Sequence, residues 1–131
     1  MTKQSLRLLD ANLNRLREGI RVVEDIFRYI YNDKDTASKL KKIRHNSRID
    51  LYKEFLDSRD SLNDVLRPTI KSELNRSNLF SIIISNFKRA QESARVLEEF
   101  GKLIDAQTSE NFKAIRYELY EIEKIILNID E

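Results

Sequence analysis

The residues of this chain best suited to chemistry belong to a motif that occurs twice. An asparagine, an arginine, a glutamate and a second arginine follow one another at three-residue spacing. The first copy is Asn12, Arg15, Glu18 and Arg21, and the second copy, 74 residues later, is Asn86, Arg89, Glu92 and Arg95. Guanidinium groups bind phosphate oxygens in a bidentate manner. A cleft that collects these arginines would suit a ligand with several phosphate groups.

On a helix, at about 100° per residue, each copy of the motif runs from the apolar face to the opposite face. Asn12 and Asn86 fall inside the apolar stripe, and Arg15 and Arg89 fall on its rim. A buried asparagine must be hydrogen-bonded, so each is expected to bond to the other half of the molecule or to a ligand. The alternative is a structural ladder, in which arginine and glutamate fix the register of two packed helices.

Further candidates lie outside the motif. The same cleft could also collect other arginines: Arg44, Arg59 and Arg116. His45 is the only histidine, and its setting is more typical of a surface or hydrogen-bonded helical residue than of a base. Four carboxylates are spaced to bind a hard cation such as magnesium: Glu24, Asp25, Glu98 and Glu99. For Glu24 and Glu98, a solvated helix surface is the simpler interpretation.

Four helices are predicted to position these residues. Apolar residues recur at three- and four-residue intervals over residues 5–31, 37–57, 77–104 and 108–126. The predicted caps are Asp35 or Thr36 for the second helix and Thr108 or Ser109 for the fourth. Residues 58–75 form the least regular segment and contain Pro68, which disfavours helix in the residue before it.

The second and fourth helices repeat as well, because Lys41, Ile43 and Arg44 match three residues that lie 72 positions later. Small residues such as Gly19 and Ala90 allow the two long helices to approach closely. We therefore predict one all-α domain over residues 1–131, a four-helix bundle of two pseudo-symmetric helix pairs. The first repeat covers about 5–57, the connecting loop 58–75, and the second repeat about 77–129.

Composition excludes several classes of protein. The chain of 131 residues has no cysteine and only two glycines, which excludes disulfides, thiolate metal sites and glycine-rich phosphate loops. Lysine and arginine number 24 against 22 aspartates and glutamates, so neither a nucleic acid nor a membrane surface is an expected partner. The sequence has no apolar segment typical of a signal peptide or a membrane span, and a cytoplasmic location is expected.

Over essentially its whole length, the chain resembles one family. The resemblance rests on DANLNRLREGIRVVED and SNFKRAQESARVLEEFGK, together with IRHN, SRD and AIRYELYEIEK. The family is the small helical domain often fused to the N-terminus of thiamine-phosphate synthase, also found alone. The resemblance implies an alternative hydroxymethylpyrimidine-phosphate kinase of thiamine biosynthesis. With ATP and Mg²⁺, such an enzyme converts 4-amino-5-hydroxymethyl-2-methylpyrimidine phosphate to the diphosphate.

The resemblance also implies site residues. Catalytic roles go to Arg15, Glu18, Arg89 and Glu92. The residues that it implies for binding of the substrate or its phosphate are Asn12, Asn86, Arg21, Arg95, Arg44, His45, Arg59 and Asp60. Metal binding goes to Asp25, Glu99 and Asp64. The implied partners are the pyrimidine phosphate, the nucleotide and, as a functional link, thiamine-phosphate synthase; a homodimer is compatible with these features.

Two other functions stay open at this point. One is a non-catalytic helical module that binds or regulates an enzyme of the thiamine pathway, and it would consume no ATP in the presence of the substrate. The other is a helical enzyme for a small dianion, of the chorismate mutase kind, in which paired arginines would hold carboxylates.

Overall fold

The computed structural model describes residues 1–69 and 78–129, and these contain five α-helices and no β-strand. The helices are α1 (Lys3–Asp25), α2 (Lys34–Asn46), α3 (Tyr52–Ser58), α4 (Leu79–Gly101) and α5 (Ala106–Ile129). A π-helical turn, Ile26–Ile30, extends α1, and a short 3-10 turn, Ser61–Asn63, follows α3. The prediction of an all-α fold is confirmed, with five helices in place of four.

The second predicted helix is in fact two helices, α2 and α3. Ser47 is buried, and its hydroxyl donates a hydrogen bond of 2.8 Å to the carbonyl oxygen of Ile43. Its backbone leaves the helical region, with φ −82° and ψ 77°. A serine that bonds to the preceding turn competes with the regular helix. The chain turns at this point, and α3 packs back against α1 through the buried Phe55.

Both α2 and α5 begin after an aspartate. Asp33 Oδ1 accepts a hydrogen bond from the backbone of Thr36 at 3.1 Å, and Asp105 Oδ1 accepts one from the backbone of Thr108 at 2.7 Å. The predicted caps were wrong by two to four residues. The common Asp-x-x-Thr spacing, 72 residues apart, extends the internal repeat to the helix caps.

The long helices α1 and α4 pack against each other at the centre of the fold, and α2 and α5 flank them. Gly19 permits this approach, because a Cβ at this position would lie 3.0 Å from the carbonyl oxygen of Asn86 and 3.4 Å from Ala90 Cβ. The largest fully buried apolar side chains are Phe27, Phe87, Phe112, Leu9, Leu16, Ile20, Leu40, Ile43, Ile83, Leu97 and Leu119.

The segment between the two helix pairs is only partly described. The predicted connection over residues 58–75 is described as far as residue 69, and the predicted start of the third helix at residue 77 lies outside the described residues. Helix α4 begins at Leu79 after Asn78, which forms a reciprocal capping box with Ser81. None of the helices in the described ranges is both long and apolar enough to cross a bilayer.

Candidate functional site

A groove of about 560 Å³ lies between α1 and α4. Both copies of the repeated motif contribute to its walls: Glu18 from α1, and Asn86, Arg89 and Glu92 from α4. Its other lining residues are Gly19, Val22, Ile84, Ser85 and Lys88. Because Gly19 lets the two helix backbones come close, the two motif copies meet at one surface. We refer to this feature as the α1–α4 groove.

Four charged residues of the motif have no partner for their charge in the part of the chain that the structure describes. Arg15, Glu18, Arg89 and Glu92 are exposed, and within the described ranges none of them forms an ion pair or a side-chain hydrogen bond. The arginine–glutamate ladder considered as an alternative is therefore not formed by these residues. Arg15 lies one turn before Glu18 on α1 and is not among the residues that line the groove.

The two motif asparagines bond within their own helices. The side-chain amide of Asn12 donates to the carbonyl oxygen of Leu8 at 2.9 Å, and that of Asn86 donates to Ile82 at 2.8 Å. Among the described residues neither amide bonds to the other half, because each reaches the carbonyl group one turn earlier, and a bond to a ligand stays a prediction. Asn12 is buried, whereas Asn86 is partly exposed and lines the α1–α4 groove.

A second groove, of about 390 Å³, lies between α4 and α5, and we refer to it as the α4–α5 groove. Its lining residues are Lys88, Gln91, Glu92, Arg95, Arg116 and Tyr120. Lys88 and Glu92 line both grooves, so the two grooves are neighbours on either side of α4.

One buried ion pair in each half joins the helices of that half. Arg44 donates to Glu24 at 2.7 and 3.2 Å, and Arg116 donates to Glu98 at 3.1 and 2.9 Å. Glu24 and Glu98 are only 1% and 7% exposed, so the interpretation as solvated surface was wrong. The hydrogen bond to Glu24 raises the pKa of Arg44.

His45, next in sequence, is exposed in the last turn of α2.

The three predicted metal ligands each have a local contact, although Asp25 Oδ1 is buried without a hydrogen-bond partner in the described residues. Arg21 lies 3.5 Å from Asp25, and Arg95 lies 3.1 Å from Glu99. The Asp64 carboxylate accepts a hydrogen bond from a backbone amide two residues later. Throughout the described part of the chain, no three carboxylate or imidazole side chains form a cluster that could hold a metal ion. These residues therefore do not assemble the predicted metal site by themselves.

Arg59 and Asp60 contact the N-terminal part of α1. Arg59 donates to both carboxylate oxygens of Asp10, at 2.7 and 3.0 Å, while the backbone carbonyl of Asp60 accepts from Arg7 at 2.8 Å. The side-chain amide of Asn63 donates to Asp60 and lowers the pKa of that carboxyl. Neither Arg59 nor Asp60 lines the α1–α4 or the α4–α5 groove.

Sequence reasoning missed two buried polar residues, Asp10 and Gln91. Asp10 is 4% exposed although the matching residue of the second copy is apolar Ile84. Gln91 is also 4% exposed, and its Nε2 has no hydrogen-bond partner in the described residues. Leaving a buried donor unpaired costs about 1–3 kcal/mol. The available signal was a difference between the two copies, since the position that matches Gln91 is the exposed Arg17.

In the described residues, these features define an all-helical fold with charged side chains of both motif copies at a groove between two helices. The chain belongs to the ThiD2 family, whose sequence profile matches residues 7–125. The family resemblance predicted from the repeated motif is therefore confirmed.

Similar proteins carry the name thiamine-phosphate synthase. One such protein from Prochlorococcus marinus is 37% identical over 127 residues, which are 94% of this chain and 36% of the relative. The protein from Synechococcus sp. (strain CC9605) is 39% identical over 125 residues, 93% of this chain and 35% of the relative. The protein from Rhodopirellula baltica is 37% identical over 120 residues, 88% of this chain and 32% of the relative.

The chain thus spans about a third of the length of these relatives. No solved structure matches it.

Proposed function

We propose that this chain is an ATP- and Mg²⁺-dependent kinase in thiamine biosynthesis. Its substrate is 4-amino-5-hydroxymethyl-2-methylpyrimidine phosphate, and its product is the corresponding diphosphate. Membership of the ThiD2 family and the relatives named thiamine-phosphate synthase support a place in this pathway. Thiamine-phosphate synthase consumes the diphosphate, so the two activities would act in sequence.

The proposal rests on the motif charges at and beside the α1–α4 groove, which have no partner among residues 1–69 and 78–129. Arg89 and Lys88 line this groove together with the amide of Asn86. Since Arg89 has no carboxylate partner in the described residues, its planar fork is free to bind two phosphate oxygens. By contrast, Arg44 is already held by a buried glutamate, and we assign it a structural role.

The reaction needs positioning and charge neutralisation more than covalent catalysis. An oxygen of the pyrimidine phosphate attacks the γ-phosphorus of ATP, a new P–O bond forms, and the bond to the β,γ-bridging oxygen breaks to release ADP. Because the attacking oxygen is already anionic, no strong base is required. The exposed position of His45 is therefore compatible with the reaction, and arginine and lysine side chains supply charge to the transferring group.

The α1–α4 groove also fits a magnesium ion that is bound mainly through substrate phosphates. Mg²⁺ typically takes one or two protein carboxylates in addition to phosphate oxygens and water, and Glu18 and Glu92 both line this groove. When bound, the ion neutralises charge on the phosphate groups. Glu18 and Glu92 suit this role better than Asp25 and Glu99, which are paired with arginines.

The direct test is incubation of the purified chain with Mg²⁺, ATP and the pyrimidine monophosphate, followed by phosphorus NMR. We expect ADP and the pyrimidine diphosphate in equal amounts, and no product when EDTA removes the metal. The pyrimidine alcohol should be a poor substrate, because it lacks the phosphate group that the arginines hold. If ATP is not consumed, the chain is a non-catalytic module and the proposal is wrong.

A further inference from the structure

A cavity of about 350 Å³ lies between the end of α1 and the start of α2, and we refer to it as the α1–α2 cavity. Three basic side chains line it: Arg28 from the π-helical turn, and Lys34 and Lys41 from α2. All three are exposed and therefore accessible from solvent. Within the described residues none of them forms an ion pair. Arg28 lies over the ring of Tyr29, 5.0 Å from its centre, a contact that leaves the positive charge without a counter-ion.

The carboxylates at the α1–α2 cavity do not balance these charges. Glu24 is 1% exposed, and both of its oxygens accept hydrogen bonds from Arg44, so its charge is already matched. Asp33 accepts from the backbone and the hydroxyl of Thr36 at 3.1 and 2.8 Å, which holds it at the cap of α2. Among the described lining residues, it is the one carboxylate left against three cations. The cavity therefore carries an excess of positive charge, which suits an anion.

The second half does not repeat this excess of charge at the matching positions. The residues that match Arg28, Lys34, Ser38 and Lys41 are Lys102, Ala106, Glu110 and Lys113. Lys102 is paired with Glu99 at 3.1 Å, and Glu110 places a negative charge where the first half has a hydroxyl group. The cations of the α1–α2 cavity are therefore not part of the scaffold that the two halves share.

The cavity also borders the point where the two halves differ in length. The motif helices match at an offset of 74, whereas the caps Asp33 and Asp105 match at an offset of 72, so the first half contains two additional residues before its second helix. They are accommodated by a π-helical turn, in which the amide of Tyr31 donates to Ile26 at 3.2 Å, and by Asn32 in the left-handed conformation, with φ 52°. Asn32 lines the cavity, and π-helical turns are frequent at functional sites.

We propose that the α1–α2 cavity binds the di- or triphosphate group of a phosphorylated small molecule. Lys34 and Lys41 are seven residues apart on α2, about 10 Å along its axis, and Arg28 lines the cavity from the end of α1. A row of linked phosphate groups offers oxygens to cations that are this far apart, and the guanidinium can bind two of these oxygens. No described residue lines both this cavity and the α1–α4 groove. The site is therefore a further one, and it does not depend on the kinase reaction proposed above.

The test is an NMR titration of the assigned wild-type chain without Mg²⁺, followed at the backbone amides of Asn32 and Ser38. The probes are tripolyphosphate, pyrophosphate and ATP, and the controls are inorganic phosphate, citrate and adenosine. We expect saturable shifts with each probe at concentrations at which no control causes a shift. If phosphate or citrate shifts these amides at the same concentrations, the cavity does not select a polyphosphate and the proposal is wrong.

The same titration distinguishes the sources of the polyphosphate group. Tighter binding of ATP than of tripolyphosphate would show that the nucleoside is also recognised and that the ligand is a nucleotide. Equal affinities would show that the phosphate chain alone is recognised. The site stands in both cases.

Variants at exposed positions measure the contribution of charge. Ser38→Glu installs the residue of the second half and should weaken tripolyphosphate binding about 10-fold or more, because the new carboxylate repels the anion and pairs with Lys34 one turn earlier. Ser38→Gln, of similar size but uncharged, should weaken it far less. Lys41→Gln should weaken binding about 10-fold, as expected for one charged hydrogen bond.

Lys42→Gln is the matched control for Lys41→Gln, because Lys42 is also exposed on α2 but is not among the residues that line the cavity. It should bind tripolyphosphate like the wild type. Equal losses in the two variants would show that only the general charge of α2 attracts the anion, and the site would be wrong.

The outcomes separate this site from the kinase reaction. If the chain forms the pyrimidine diphosphate but tripolyphosphate leaves the amides of the cavity unshifted, the site is wrong and the kinase proposal stands. If tripolyphosphate shifts these amides and Ser38→Glu removes the shift, but no diphosphate forms, the site stands and the kinase proposal fails. Because the wild-type titration requires neither turnover nor a variant, a folding defect in one variant leaves the test decisive.

Discussion

The two halves of this chain, α1–α2 and α4–α5, repeat the same contacts. In each half the motif asparagine bonds one turn back, a buried glutamate is held by an arginine of the next helix, and an Asp-x-x-Thr cap begins that helix. These matched contacts support the prediction of two related helix pairs, and the two-fold relation between them stays a prediction. The contacts that occur in both halves are therefore the ones that join the two helices of each helix pair.

The differences between the halves are as informative. In the first half, Asp10 is buried under Arg59, which follows α3, whereas Ile84 occupies the matching position of the second half. In the second half, α5 continues to Ile129 without a break like the one at Ser47, and the buried Gln91 stands where the first half has the exposed Arg17. The two copies therefore share their helix-to-helix contacts but differ at other polar positions.

The largest effect should come from removing the buried ion pair that each half contains. Glu24→Ala leaves the Arg44 guanidinium, only 12% exposed, without its partner and should cost about 3–5 kcal/mol of unfolding free energy. Glu98→Ala should cost about 1 kcal/mol less, because Glu98 is more exposed than Glu24 and the Arg116 guanidinium keeps its contact with the ring of Tyr120, 5.8 Å away. Urea denaturation measures both values.

The control for these variants replaces both partners. Glu24→Leu combined with Arg44→Leu should recover most of the loss, since apolar replacement of a whole buried pair is often neutral. If Glu24→Ala costs less than about 1 kcal/mol, the range of an exposed pair, the buried pairs do not anchor the two halves.

The next effect concerns kcat, which should respond differently to replacement of the motif arginine in each half. Lysine keeps the charge of arginine but loses the planar fork, so Arg89→Lys should lower kcat about 10- to 100-fold, the equivalent of one charged hydrogen bond. Arg15→Lys should have a smaller effect, since only Arg89 lines the α1–α4 groove. An effect on KM alone would assign the residue to ground-state binding of a substrate phosphate.

Arg17→Lys is the control for this pair, because Arg17 is exposed on α1 and lies outside the motif. Its kinetic constants and Tm should match those of the wild type. Wild-type kinetics in well-folded Arg15→Lys and Arg89→Lys would remove both residues from the site.

Much of the fold followed from the sequence, because the apolar stripes of the long helices have a clear period. The break at Ser47 did not, since Ser47 fits the stripe spacing, and neither its non-helical backbone nor its hydrogen bond to Ile43 can be read from that spacing. The burial of Glu24 depends on Arg44, which lies 20 residues away. Helical periodicity within one segment does not reveal such a partner.

The candidate site was also predictable only in part from the sequence. The repeated motif led to Arg89 and Glu92, which line a groove, but it gave no sign of Gln91. A glutamine at the edge of a stripe is commonly solvated, and its burial here depends on how α5 covers α4. Repeats reveal shared structure, whereas a residue present in one copy alone gives no such signal.

A smaller loss of stability is expected for the Asp10–Arg59 pair, and it should differ between the two partners. Arg59→Gln leaves a buried carboxylate without its cation and should cost about 1–3 kcal/mol. Asp10→Ile, which installs the residue of the second half, should cost less than about 1 kcal/mol, because Arg59 is 46% exposed and can be hydrated. Hydrogen exchange should nevertheless show faster opening of α3 in both variants, and unchanged protection there would contradict the role of the pair.

The smallest effect concerns the pH dependence of the matched caps. Hydrogen bonds from the backbone and side chain of Thr36 lower the pKa of Asp33 below its ordinary value of 3.8, and Thr108 lowers the pKa of Asp105 in the same way. A carboxyl with a lowered pKa in the folded state binds its proton more readily when the chain is unfolded. The stability that it contributes is therefore fully present above the unfolded pKa and is lost as the pH falls through the folded pKa.

We expect Tm to fall between pH 5 and pH 3, and to fall less steeply in the double variant Asp33→Ser with Asp105→Ser. Serine keeps a capping oxygen but does not titrate in this range. Asp35→Ser, which removes a carboxylate from the first turn of α2 but leaves the cap in place, should retain the steeper wild-type slope. At pH 7, Asp33→Ala should cost about 1 kcal/mol, typical of a lost cap. Equal slopes in the double variant and the wild type would show that other carboxylates govern the acid response, and that the two caps match in geometry but contribute nothing to the pH dependence.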